Sequence, residues 1–413
     1  MHTNRAFDVL QVGLLAGCLA LALPGFAPAQ DETDEAAASA SPVAAHVYIQ
    51  TLKGVMAYAA TAAGQLTLIK GSPFATVGQI EGVNGKYLIS MGTTNIRTYS
   101  IESGGTIGKQ VAMVNTQNYG GADCGTTSFN GRSNGATLDH TGKYFYVQLY
   151  GNTERTGSAD CAVWQSYAVH PNGGLTFLGD IEYSGVTGGG DASPSSVPVL
   201  SGNDLYGYGM FPPGMAGPGY LSTFERNSRG ILEENPKFSE IDPKDTTWSF
   251  APWSVASDLS SHLAVLMMPW NDDGSQAFNV LASYTINRST GGIVSTNTME
   301  NMPEVKDLTS VLWDPVLSMS PSGKLLAFSE YPGLQLFHFN GAAPITPYSS
   351  VLLPKIQIDQ VQWDKSNHMY SLSYGAGQLH IFTATPTTIS EVAGSPYVIP
   401  NAYGSLGMVV VPK

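Results

Sequence analysis

Lys143-Tyr144-Phe145-Tyr146-Val147, then Gln165-Ser166-Tyr167-Ala168-Val169, then Gly174-Leu175-Thr176-Phe177-Leu178: these short apolar runs and the turns between them decide the fold. Runs of this length, rich in aromatic and β-branched residues and bounded by Gly, Asn and Asp, read as strands joined in hairpins. A polar turn, Asp139-His140-Thr141-Gly142, stands just ahead of the first run. The same order recurs at Ser320-Pro321-Ser322-Gly323, followed at once by Lys324-Leu325-Leu326-Ala327-Phe328.

Working outward, the aromatic of the middle run returns seven times, as Tyr58, Tyr99, Tyr167, Phe224, Tyr284, Phe337 and Phe382. An Ile or Leu follows about eight residues later in each copy: Leu66, Ile107, Leu175, Leu232, Ile293, Ile345 and Ile389. In most copies a glycine precedes that follower, at Gly64, Gly105, Gly174, Gly230 and Gly292. A period of roughly 40 to 50 residues means stacked supersecondary units. Four antiparallel strands per unit make each one a propeller blade. The first copy lacks its first run, opening on Val47-Tyr48-Ile49, and the chain ends on a surplus run, Leu406 to Val411. The surplus strand is expected to complete the first blade, which closes the ring and removes its free edges. The expected fold is all-β: a seven-bladed β-propeller spanning 46–413, with the C-terminal strand completing blade 1.

Two of these segments carry a family resemblance. Gly64-Gln65-Leu66-Thr67 with Gly71-Ser72-Pro73-Phe74-Ala75 closely resembles the blade linker of the seven-bladed lactonase propellers, the 6-phosphogluconolactonase and cycloisomerase-2 family. It returns as Val392-Ala393-Gly394-Ser395-Pro396-Tyr397, and the Ser320 to Phe328 segment resembles that family's most frequent stretch. The resemblance implies a lactone opened or closed by an acid, a His and arginines over the central channel. It places Glu330, just after the second strand of the sixth blade, where the family often has its Glu. His140 stands at a turn position where Pro is usual in the family.

The remaining features bound the chemistry. The chain has 413 residues, only 12% of them charged, and a formal net charge of −13. No stretch is a basic cluster, so nucleic acid is not an expected partner. Residues 1–29 read as a signal peptide, with Arg5, an apolar stretch from Val9 and a small-residue site at Ala27-Pro28-Ala29. Export to the periplasm or exterior is expected, with lipid anchoring at Cys18 as the alternative. Residues 30–45 read as an acidic, Ala/Ser-rich linker. Cys124 and Cys161 remain in the mature chain and are expected to form a disulfide. Such a bridge would close a 37-residue loop, a constraint worth on the order of 3–4 kcal/mol.

Long connections on a rigid scaffold are where function concentrates. Glu330 is the candidate general base and Arg132 its oxyanion partner. Glu154 and Arg155, beside the expected bridge, are candidate ligand-binding residues. Trp248 and Trp253, in or near loops, can stack on a sugar ring or pack between blades. Asp272-Asp273-Gly274 reads as a hairpin turn, because it lacks the alternating oxygen ligands of a calcium loop. No cofactor and no metal are expected, and the mature chain is expected to be a monomer without a membrane span. Two functions remain open: a lactonase acting on a sugar acid or similar small acid, and a non-enzymatic scaffold that binds protein or glycan.

Overall fold

The computed structural model describes residues 42–117, 127–128, 135–151, 162–183, 198–211, 220–239, 248–270, 278–305, 316–329, 332–402 and 407–413. Among the described residues every regular element is a strand, and the strands form seven antiparallel sheets. These are the seven blades of a closed ring. Their innermost strands are Met408–Pro412, Gln79–Val83, Ala136–Leu138, Val199–Leu200, Ser249–Ser257, Val316–Met319 and Gln360–Trp363, in blades 1 to 7.

The ring closes as the orphan runs require. Met408–Pro412 pairs with Val43–Thr51 in blade 1, with Val47 opposite Val410 and Tyr48 opposite Val409. Val43–Thr51 begins three residues ahead of the expected start at His46. Small side chains at Ala44 and Ala45 let the linker's end join the sheet, where the Ala44 carbonyl accepts the Lys413 N–H. The Gln362 side chain of blade 7 then grips this last strand, donating to the Met408 carbonyl and accepting from the Val410 N–H at 2.8 Å. A side-chain amide thus satisfies backbone groups on the inner edge, where no further strand can pair.

The repeat has a packing cause. The counted aromatics are buried in seams between blades: Tyr167 and Phe224 are fully buried, and Tyr58, Tyr99, Tyr284, Phe337 and Phe382 nearly so. Each such burial contributes about 2–3 kcal/mol. The glycines form a second contact. An aromatic ring at the start of a second strand abuts a left-handed glycine in the outer turn of the next blade. Tyr87 meets Gly173, Tyr144 meets Gly230, Tyr206 meets Gly291, His262 meets Gly341, His368 meets Gly64, and His46 meets Gly105. At Gly230 an added Cβ would lie 2.1 Å from the Tyr144 ring. In the two Gly-Gly turns the contact glycine is therefore Gly173 or Gly291, one residue ahead of the Gly174 and Gly292 that precede the followers. The first glycine of each pair takes the positive φ that the turn demands (φ 81° and 71°).

The Gly-Ser-Pro segments also have a shared task. The Ser72 and Ser395 hydroxyls accept the N–H groups of Ala57 and Ile381, on the third strands of blades 1 and 7. Ser349 does the same for Leu336 in blade 6. Each serine serves a third-strand N–H that the fourth strand leaves unpaired.

Candidate functional site

The topology sorts the connections. The tight turns after the innermost strands lie at one end of the ring. The second strands end, and the third strands begin, at the other. Between these ends the innermost strands of blades 3 to 6 enclose a channel cavity of about 320 Å³. That volume suits a small molecule. Its lining includes Thr137, Ser254, whose hydroxyl accepts the Leu317 N–H at 3.2 Å, and Ser318, among apolar residues such as Leu138, Val255 and Met319, and His140 lines it as well.

The tight turns share one construction. An Asp, Ser or Asn at the end of the innermost strand accepts the backbone N–H that opens the second strand. Asn84 serves Tyr87, Asp139 serves Tyr144, Ser201 serves Tyr206, Asp258 serves His262, Ser320 serves Leu325 and Asp364 serves His368. A short side-chain acceptor at this position mimics a backbone turn. Where that residue is Asp, its second carboxylate oxygen is spare, and what takes it differs from blade to blade.

In blades 5 and 7 a histidine of the same blade takes it. His262 Nδ1 lies 2.8 Å from Asp258, and His368 Nδ1 lies 2.8 Å from Asp364. Tyr370 also donates its hydroxyl to Asp364 at 3.0 Å. In blade 3 the partner is foreign. Arg226, from the third strand of blade 4, reaches the fully buried Asp139 at 3.0 Å and covers the Tyr144 ring at 5.1 Å.

His140 makes the reciprocal crossing. Its backbone N–H and its ring Nδ1 both bond to Asp204 in blade 4, the ring at 2.6 Å. Asp204 is almost wholly buried, whereas the His140 side chain is 42% exposed. The bond to Asp204 raises the imidazole pKa above its ordinary 6.5, against the opposing effect of burial. Burial pushes the Asp204 carboxyl up, but the bonds from His140 and its charge outweigh this, leaving it below its ordinary 3.8. Nδ1 held by a carboxylate leaves Nε2 as the ring nitrogen available to a ligand in the cavity. This is the arrangement of an oriented base.

Of the residues singled out by sequence, Glu330, Arg132, Glu154, Arg155, Cys124 and Cys161 lie outside the described residues, as does Asp272-Asp273-Gly274. Trp248 and Trp253 are described. Both are half-buried and pack against the cores beside blade 5, and the Trp253 indole N–H is buried with no partner among the described residues. Sequence reasoning noted His140 only as a departure from the usual Pro and passed over Asp204. The available signal was the turn itself: aligned on their acceptors, the turns place His140 directly after Asp139 and Asp204 just ahead of the second strand of the next blade. Among the described residues no cluster of His, Cys, Asp and Glu suits a metal ion, and no helix is long and apolar enough to cross a membrane.

No protein-family model matches this chain, and no curated protein sequence does either. Solved structures do match. A Bacteroides fragilis protein provisionally named a 6-phosphogluconolactonase superposes with a TM-score of 0.58 at 12% identity, over 90% of this chain and 99% of that one. A Bacteroides uniformis protein with the same provisional name gives 0.53 at 11% identity, over 90% and 100%. A Lactobacillus plantarum protein gives 0.57 at 10% identity, over 90% and 100%. At these identities the likeness is one of fold.

Proposed function

We propose that this propeller is a lactonase-like hydrolase whose active site is the channel cavity, with His140 as general base and Asp204 as its orienting partner. The observation that carries the reading is the 2.6 Å bond from His140 Nδ1 to a buried carboxylate, on an imidazole that stays open to the cavity. The provisional names of two proteins with the same fold point to the same reaction class.

The chemistry follows from the geometry. Nε2 of neutral His140 takes a proton from a water as its oxygen adds to the lactone carbonyl carbon. Asp204 stabilises the imidazolium that forms. The hydroxyls of Thr137, Ser254 and Ser318 supply O–H donors for the oxyanion of the tetrahedral intermediate. Collapse breaks the ring C–O bond, and the imidazolium returns its proton to the leaving alkoxide. Lactone plus water becomes the hydroxy acid, with no cofactor. In this reading His140 takes the base role that the family resemblance assigns to Glu330. Export through residues 1–29 forms part of the same proposal.

The test is a lactone panel on the mature protein with His140→Ala, Asp204→Asn and Glu330→Gln. Wild-type hydrolysis with a loss of about 10²–10⁴-fold in kcat/KM for His140→Ala is expected. Unchanged rates in His140→Ala and Asp204→Asn would remove the assignment, and a loss confined to Glu330→Gln would move the base to that residue. One observation favours the scaffold reading: the same Nδ1-to-carboxylate bond occurs in blades 5 and 7, where the histidine packs on a glycine of the next blade and builds a seam.

A further inference from the structure

Arg226 ends the third strand of blade 4, Tyr220–Arg226, and bonds beside both halves of the His140–Asp204 pair. Its backbone N–H donates to the Leu205 carbonyl at 2.7 Å, one residue past Asp204. Its guanidinium donates to Asp139 at 3.0 Å, one residue ahead of His140. Asp204 itself sits in a left-handed conformation (φ 57°), uncommon outside glycine, so its turn gains from every bond that fixes it.

Asp139 is buried, and both its oxygens are engaged. One accepts the N–H groups of Lys143 and Tyr144 at 2.7 and 3.0 Å. The other accepts the Thr141 hydroxyl at 2.7 Å and the Arg226 guanidinium, which alone among these donors carries charge. The Tyr144 ring, with its centroid 5.1 Å from the guanidinium carbon, holds the fork in place. Without Arg226, Asp139 would be a buried negative charge lacking a counter-ion, one residue from an imidazole. Protonated His140 would then stand between two carboxylates, which favours the imidazolium and depletes the neutral base.

We propose that Arg226 is the positioning residue of the His140–Asp204 pair: it ties the two turns together and keeps Asp139 from becoming a second counter-ion of His140. The proposal rests on the reading of His140 as general base. Among the described residues the charged groups acting on the ring are Asp204, Asp139 and Arg226. The bond to Asp204 raises the imidazole pKa most, burial opposes it, Asp139 adds to the rise and Arg226 counters it. Tyr146 also lies beside the guanidinium, but burial pushes its phenol up and keeps it neutral.

The experiment titrates the His140 ring by NMR in the full chain, with His140→Ala identifying its signal. Arg226→Gln should raise the midpoint by about 0.5 unit or more, roughly a threefold change in the ratio of imidazolium to imidazole. Arg226→Lys, which keeps the charge without the planar fork, should restore most of the wild-type midpoint. The double variant Asp139→Asn with Arg226→Gln should return to it, because the charge that Arg226 masks is gone as well. An unchanged or lowered midpoint in Arg226→Gln overturns the proposal, as does a double variant that keeps the raised one. Should Arg226→Gln fail to fold, Asp139→Asn alone decides: it leaves the guanidinium unopposed and must lower the midpoint. In active enzyme the acid limb of kcat/KM should move with the midpoint, while the rate above that limb stays within a few-fold of wild type. A fall at every pH would mean a merely structural role and overturns the proposal. The titration reads the ring without turnover, so it separates the two readings. Shifts without any lactone hydrolysis remove the lactonase and leave Arg226 in its role. Hydrolysis that needs His140, with a midpoint indifferent to Arg226, does the reverse.

Discussion

The seam between blades 3 and 4 and the inner turn of blade 7 use the same two residue types for opposite ends. In blade 7, Asp364 holds the N–H groups of Ser366 and His368, the His368 ring and the Tyr370 hydroxyl, and the His368 side chain is only 3% exposed. That histidine also lies against Gly64 of blade 1. Every polar atom of the carboxylate is spent inside the fold. At the blade 3–4 seam the turn carboxylate, Asp139, is occupied by Arg226, and the histidine is a turn residue that reaches over to Asp204. Its ring stays open, over the channel rather than over a glycine. An Asp–His bond is therefore closed within the scaffold or left open on one side according to what the other face of the imidazole meets.

The largest expected effect separates these roles. His140→Ala should lower kcat/KM on the best lactone by about 10²–10⁴-fold, roughly 3–5 kcal/mol of transition-state stabilisation. His368→Ala should leave kcat/KM within a few-fold and lower the melting temperature instead. Reversal of this pattern would dissolve the distinction between the two regions. Next, Asp364→Ala should cost about 3 kcal/mol in urea unfolding, because it strands buried donors. Asp204→Asn should cost about 1 kcal/mol, since its partner can turn to solvent. Comparable losses would mean that the open seam is as structural as the closed one.

A smaller effect sharpens the glycine contacts. Gly230→Ala combines a left-handed φ of 89° with a clash against the Tyr144 ring, and about 2 kcal/mol of destabilisation is expected. Gly174→Ala meets only its own turn and should change stability by less than about 1 kcal/mol. Equal losses would show that the glycine–aromatic contact adds nothing to stability.

The smallest effect is the pH dependence of the open pair. His140, with its pKa raised, contributes stability that is complete below its ordinary 6.5 and fades as pH rises through its folded value. Asp204, with its pKa lowered, contributes stability that is complete above its ordinary 3.8 and fades as pH falls through its folded value. The difference in unfolding free energy between wild type and Asp204→Asn should therefore be greatest between pH 3.8 and 6.5 and shrink on both sides. A flat difference would show that the pair is uncoupled in solution. The acid limb of kcat/KM should correspondingly lie above pH 6.5, because only neutral His140 accepts a proton.

Much of the fold is legible in the chain because its signals are local and repeated. Alternating apolar runs and turn residues recur seven times, and the missing first run and surplus last run match a single strand pair, Val43–Thr51 with Met408–Pro412. The glycines were legible as a pattern, but their task was not. Whether Gly173 or Gly174 meets Tyr87 depends on the adjacent blade, 86 residues away in the chain. The candidate site was hardly legible, since His140 and Asp204 are 64 residues apart and each sits in an ordinary turn.

The sequence by itself determined the number of blades, the closure of the ring and the turns that cap its strands. Each of these follows from hydrophobic period and turn chemistry within a few tens of residues. Only the tertiary structure decided which carboxylate each histidine meets and which imidazole stays open. Those outcomes depend on how neighbouring blades lean on one another. A repeat makes the blades alike, so the residues that differ acquire their chemistry only from the seam into which the ring places them.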